Sequence, residues 1–487
     1  MKKIQILLLP LILAMTYFMQ GQIQMGTPET IALQASWGST RPRIALNANA
    51  DPVVIWSSPN TKSVYVSRKS NGAFLAPIKL NPDGMELSIF DWSGPEIAAN
   101  GNDVFVVFKQ IPEHSSPVYC VRSSDGGATW SDTVRVDSSS PLMSRMPTVG
   151  VDNNGNPIVA FMRENMDNGY SDWAVSRSLD GGVSFAPAFS VTSLTGAAVC
   201  DCCSATVVSS GSNVAVIYRN NDVNLRDIRA SISNDGGATF DANIDMDNLD
   251  WEVNVCPSSG PDGYFAGTDL KSAWMSKASG YYRIYFSSGD TQSPTSEGSV
   301  LVHDAPISQI QNRPVIAGNE SVMGIAGEFT QLGMNEIFFS WSSSDFTENN
   351  YFAVTQNIAG NQLRPDIAFD GQKFHLVFTD NGVLGVTYLQ LEIGGVNVDD
   401  LKQSSNFILM PNPANEEIGL QILGQQYSSL SQIEVRDMSG RSVIQEKLGS
   451  GPIKILSTGQ LSDGIYSYVI RDNGILIANM RFIIQHE

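Results

Sequence analysis

From Pro42 onward the chain repeats a unit of just over fifty residues, and no other feature narrows its fold as much. Units open on Pro or Ser at Pro42, Pro95, Pro147, Ser204, Pro261, Pro314 and Pro365, at intervals of 53, 52, 57, 57, 53 and 51 residues. In the clearest copies the opening reads Pro-x-Ile or Pro-x-Val, and several short apolar runs follow. That period with several strands per unit predicts the blades of a β-propeller. The second unit is cleanest, with strands expected at Ile97–Ala99, Val104–Phe108, Val118–Arg122 and Thr133–Val136. The last unit runs out after three strands, at Ile367–Phe369, Phe374–Phe378 and Val383–Leu391. An unpaired edge is a liability, so the fourth strand must come from elsewhere. Thr30–Gln34, just before the first unit, is the natural donor. The expected fold is therefore all-β, with a seven-bladed propeller. Six blades result if the weak Pro261 unit is an insertion.

Three units carry the same turn: Ser123-Ser124-Asp125-Gly126-Gly127-Ala128-Thr129-Trp130, Ser178-Leu179-Asp180-Gly181-Gly182-Val183-Ser184-Phe185 and Ser233-Asn234-Asp235-Gly236-Gly237-Ala238-Thr239-Phe240. The carboxylate can accept turn N–H groups, the glycines allow positive φ and the aromatic packs beneath. Ser67 to Phe74 is a worn copy without the Asp. These boxes resemble the Asp-box (BNR-repeat) propellers, whose best-known members are the sialidases. The resemblance spans residues 23–393 and implies a structural role for Asp125, Asp180 and Asp235, away from the axial ligand face.

Lys2 and Lys3 followed by the apolar run from Ile4 to Phe18 read as a signal peptide, residues 1–22. The formal charge is −19, and removing two lysines and no acid makes it −21. Nucleic acid and anionic membranes are thereby excluded as partners, since phosphates require a basic footprint. No later run is long and apolar enough to span a bilayer. Residues 394–405 form a polar linker, and residues 406–487 read as a small β-sandwich. Pro411-Asn412-Pro413, the Met438-Ser439-Gly440-Arg441 turn and Leu461-Ser462-Asp463-Gly464-Ile465-Tyr466 resemble the C-terminal sorting domain of the type IX secretion system. That resemblance implies the type IX machinery as a partner and a secreted or outer-surface location.

Arg41, Arg43, Arg145, Arg313 and Arg364 fall where each innermost strand begins, and Arg219 lies in the fourth unit's second loop. Guanidinium groups gathered at an axial mouth would grip a carboxylate bidentately. Asp91 and Glu252 join them as candidate ligand-binding groups, and Glu164, Asp222, Asp262 and Tyr170 also fall near the mouth. The sialidase resemblance implies an arginine cluster and a Tyr nucleophile activated by Glu. Its Phe-Arg-Ile-Pro element is absent, Thr40-Arg41-Pro42-Arg43-Ile44-Ala45 is only a loose echo, and spacing assigns no Tyr/Glu pair. The expected function is recognition of a glycan or other acidic ligand at the axial face without sialidase catalysis. The alternative is an exo-acting, sialidase-like glycoside hydrolase on acidic sugars.

Cys200-Asp201-Cys202-Cys203 leads into the fourth unit and Cys256 into the fifth, so adjacent units bring the four cysteines together. Export permits disulfides between them. A thiolate site for copper(I) or zinc and a redox thiol are the competing readings. Cys120 is expected to be isolated and buried. No phosphate loop, H-E-x-x-H or G-x-S-x-G is present, and no cofactor is expected.

Overall fold

A computed structural model describes residues 23–33, 40–138, 142–165, 167, 169–331, 333–347, 350–356, 358–393, 407–410, 414–422, 431–437, 441–448, 453–472 and 475–486. The expected signal peptide, the linker, Pro411-Asn412-Pro413 and residues 438–440 lie outside them. Every regular element among the described residues is a β-strand, and no helix is long and apolar enough to cross a membrane. The chain divides into one compact unit, Ile23–Ile393, and a second that holds Gly394–Glu487.

The described residues of the first unit form seven antiparallel sheets in chain order. Their first strands are Thr40–Leu46, Glu96–Asn100, Met143–Val151, Thr206–Ser210, Asp262–Ala266, Ile310–Gly318 and Gln362–Phe369. Each follows one of the seven sequence openings or straddles it, and the Pro261 unit forms a sheet of its own. The first strand of each sheet touches that of the next, and Gln362–Phe369 touches Thr40–Leu46. In the seventh sheet, Glu29–Leu33 and Ile23–Met25 both pair with Gly385–Ile393, setting Thr30 against Thr387 and Ile23 against Ile393.

Second strands read as continuous apolar runs because both their faces are covered. Val53–Trp56 and Val104–Phe108 are buried throughout. Apolar clusters fill the seam between each consecutive pair of sheets. Another, with Trp56 and Tyr388, joins the seventh to the first.

The boxed turns behave as local chemistry dictates. Asp125 accepts the N–H groups of Ala128 (3.0 Å) and Thr129 (2.8 Å) and the Thr129 hydroxyl (2.6 Å), and the Ser123 hydroxyl bonds it at 2.7 Å. These bonds, the Thr129 hydroxyl foremost, hold its carboxyl down at about 2. Asp180 and Asp235 accept the same bonds from Ser184 and Thr239. Gly127 has φ +87, and a Cβ there would meet Val53 Cγ1 at 3.2 Å, so the turn closes tightly on the preceding sheet. Arg122 continues the stitching, donating to the Gly181 carbonyl of the next box at 2.9 Å.

Within the second unit, Phe407–Met410, Glu417–Ile422 and Ile453–Ser457 form one sheet. Ser442–Lys447, Gln432–Asp437, Gly464–Asp472 and Ile475–Ile484 form another. Ile418, Leu420, Ile433, Val435, Tyr468 and Phe482 share its core.

Candidate functional site

A cavity of about 610 Å³ opens where the first strands meet. The residue after the opening proline points into it in several sheets, bringing together Arg43, Glu96, Thr148, Asp262 and Asp366. Arg41, Arg313, Arg364 and Asp91 also line it, with Trp92 and Tyr264 as its aromatic wall.

Three of these arginines sit in an unusual backbone conformation. Arg41, Arg313 and Arg364 have φ of 53°, 49° and 53°, and Met146 at the equivalent position has 50°. All four precede proline, where an extended conformation is the norm. A side chain at positive φ costs about 1–2 kcal/mol. Each lies at a register shift between the first and second strands of its sheet, which is a bulge. The bulge re-aims the side chain, and in three of the four sheets it turns a guanidinium toward the cavity.

Each guanidinium is held by a carboxylate. Glu96 pairs with Arg41 and, at 3.0 Å, with Arg43. Arg313 pairs with Glu328 at 2.7 Å, and Glu328 also accepts the Arg364 N–H at 2.6 Å. Arg364 reaches Asp91 at 2.7 Å. Burial pulls Arg41 down to about 10, with Arg43 beside it adding to the effect.

Two carboxyls deep in the wall carry raised proton affinities. Burial pushes Asp366 up to about 7, and the nearby Asp262 adds to this against the opposing Arg43. Burial likewise lifts Asp262 to about 6, against the N–H of Ile316, which bonds it at 2.8 Å. Asp366 accepts the N–H of Ile44 at 2.8 Å, across the seam between the seventh and first sheets.

The sequence-predicted residues separate into two groups. Arg41, Arg43, Arg313, Arg364 and Asp91 line the cavity; Arg145, Arg219 and Glu252 do not. Arg145 pairs with Glu164 at 2.9 Å. Arg219 is fully buried and donates to the carbonyls of Ser259, Arg226 and Met275, a structural task. Glu252 is exposed in a bridge with Leu225. Tyr170 donates to Asp172 at 2.7 Å. Among the described residues Tyr264 donates to one carbonyl, that of Asn319 at 3.2 Å, and burial raises its phenol. Sequence reasoning missed Glu96, Asp366, Glu328 and Trp92. The position after each opening proline was the available signal for the first two.

The cysteines converge beside the cavity. Cys202 and Cys256 form a disulfide across 54 residues. Cys200 and Cys203 are buried free thiols with sulfurs 2.9 Å apart, and Cys120 is buried on its own. Two ligands of one tetrahedral zinc stand roughly 3.8 Å apart, from Zn–S bonds near 2.3 Å. With Cys202 and Cys256 bonded to each other, the four-thiolate set does not fit a metal in this state.

Residues 409–485 match the family model of the secretion system C-terminal sorting domain, the tail of type IX passengers. The protein is secreted or displayed at the cell surface. No Asp-box family model matches, and no curated protein does. Among solved structures, a family PL25 ulvan lyase shares 12% identity at TM-score 0.47, covering 77% of this chain and 99% of its own. The α-L-arabinofuranosidase Arb93A of Fusarium graminearum shares 12% at 0.45, covering 66% and 98%. PorZ of Porphyromonas gingivalis, a surface component of the type IX secretion system, shares 11% at 0.45, covering 93% and 61%.

Proposed function

We propose that Ile23–Ile393 is a closed seven-bladed propeller, exported by the type IX route, that binds an acidic saccharide or similar anion in its central cavity. The carrying observation is that Arg43, Arg313 and Arg364, from three different sheets, converge on one polar cavity. Two of them occupy strained backbone positions that aim the guanidinium inward. Strain of this kind persists only where the surrounding structure enforces it, and it concentrates at ligand sites. Trp92, stacked on Phe90 with ring centroids 5.2 Å apart, offers an apolar face for a sugar ring.

Binding without sialidase catalysis is favoured because, among the described residues, the cavity's Tyr264 bonds a backbone carbonyl and no carboxylate. A glycoside-cleaving reading draws support from Asp262 and Asp366, carboxyls that keep protons near neutrality as a general acid must.

Calorimetric titration with 3′-sialyllactose and with trigalacturonate tests the proposal. Arg313→Ala and Arg364→Ala should each weaken binding tenfold or more, consistent with a lost charge-assisted contact. Failure of both saccharides, and of a wider panel of acidic glycans, to bind the wild type would end this reading. Turnover of either sugar that Asp366→Asn abolishes would favour the hydrolase.

A further inference from the structure

The four-cysteine cluster holds a feature that a structural disulfide does not need. Cys200 Sγ lies 2.9 Å from Cys203 Sγ and 3.5 Å from the Cys202 sulfur of the disulfide. Arg226 Nη1 donates to Cys200 Sγ at 3.0 Å. Arg219 and Arg226 are both buried, and among the described residues neither forms an ion pair with a carboxylate. Buried guanidinium charge needs a counter-ion: Arg219 has the buried Asp247 carboxyl nearby, and the group that Arg226 reaches is the Cys200 sulfur, as a thiolate. Cys203, set three residues on as in a Cys-x-x-Cys motif, holds its sulfur 2.9 Å from it, within reach of the second exchange step. Exposure is graded across the cluster: Cys200 and Cys203 are buried, Cys202 is half-buried and Cys256 is exposed.

We propose that Cys200 and Cys203 form a thiol–disulfide exchange site that acts on the Cys202–Cys256 disulfide. The Cys200 thiolate attacks the Cys202 sulfur, the Cys202–Cys256 bond breaks, and its electron pair leaves on Cys256. Cys203 gives up its proton to solvent, and its thiolate attacks the Cys200 sulfur. The Cys200–Cys202 bond then breaks, and its electron pair leaves on Cys202. One disulfide has moved, from Cys202–Cys256 to Cys200–Cys203, and no oxidant or reductant is consumed. The Cys256 thiolate takes back from solvent the proton that Cys203 released, and the reduced pair at Cys202 and Cys256 carries the one thiolate that Cys200 began with, available for exchange with an external disulfide. Arg226 is a positioning residue that maintains the attacking thiolate. Ser204 and Ser258, one and two residues beyond the Cys202–Cys203 and Cys256 segments, line the cavity. The exchange therefore also unties the two segments that shape one side of the cavity.

The test is time-resolved labelling of the folded full chain with N-ethylmaleimide. Acid quenching, denaturation, a heavy-isotope second label and peptide mapping follow. Cys256 and Cys202 should acquire the first label progressively while a Cys200–Cys203 disulfide accumulates in equal amount. Cys200→Ser should leave Cys256 unlabelled. Cys203→Ser should stop at the midpoint, with a Cys200–Cys202 disulfide and labelled Cys256, and this arrest decides the matter even if Cys200→Ser fails to fold. Arg226→Gln should slow labelling of Cys256 roughly tenfold, the worth of a hydrogen bond to a charged group, and Arg226→Lys should restore most of it. An intact Cys202–Cys256 disulfide after overnight labelling would overturn the proposal. So would purified protein that already carries both pairs as disulfides, since nothing would remain to be exchanged.

Discussion

The proton affinities in the cavity wall predict how ligand binding responds to pH. Asp366 faces the same space as Arg43, so its ionised form cancels charge that an anionic ligand would use. With its carboxyl raised to about 7, roughly nine-tenths of Asp366 is ionised at pH 8 and about one-tenth at pH 6. A ligand that binds only the protonated form loses affinity in proportion to that fraction, about tenfold between pH 6 and pH 8. Asp262, raised to about 6, steepens the fall if it too must be neutral. The sugar carboxylates themselves stay ionised throughout this range. Calorimetry with 3′-sialyllactose or trigalacturonate at pH 6, 7 and 8 measures the slope directly. Asp366→Asn, which stays neutral, should flatten it by about one order of magnitude and leave the pH 6 affinity near that of the wild type. An affinity that is flat with pH, or that rises from pH 6 to pH 8, would refute the placement of these carboxyls against the ligand charge.

Stability should follow the same groups. A carboxyl raised by folding stabilises fully below its unfolded value, near 4, and this contribution is lost as pH rises through the folded value. The melting temperature by scanning fluorimetry should thus decline between pH 5 and pH 8, and less steeply in Asp366→Asn. The double variant Cys202→Ser/Cys256→Ser removes a cross-link spanning 54 residues, which chain entropy values at about 4 kcal/mol; urea unfolding should show a loss of that order. Asp235→Ala deletes an acceptor of the N–H groups of Ala238 and Thr239 and should cost about 1–2 kcal/mol, as loss of a helix cap does, with ligand affinity unchanged.

Much of the architecture is legible in the chain because each sheet repeats the same local decisions. The proline openings, the apolar second strands and the boxed turns recur at one spacing, and the observed strands fall on them. The site is less legible, for reasons that differ by residue. Glu96 and Asp366 follow the opening prolines, but only the three-dimensional arrangement shows that this position faces the cavity. Arg219 lies near the end of Asn213–Asn221, where side chains alternate between faces, and it turns inward to three carbonyls instead of toward the mouth. Glu328 reads as an ordinary residue of Met323–Gln331; its partner Arg313 enters from the neighbouring strand. The positive φ of Arg41, Arg313 and Arg364 runs against the rule for residues before proline, so only the folded chain shows it. For the cysteines, spacing brought the four together but left open which of them bond.

The pairing of Glu29–Leu33 with Gly385–Ile393 bears on how the molecule is made. Ile23–Met25 and Glu29–Leu33, the first two described strands of the unit, have their ladder partner among its last residues, so Glu29 must wait for Tyr388 to arrive. Contacts so distant along the chain form slowly. Until then the nascent protein carries two open strand edges, one at its head and one at its growing end. The sorting tail emerges later still, so a chain that presents its tail for export has already had the chance to join its two ends.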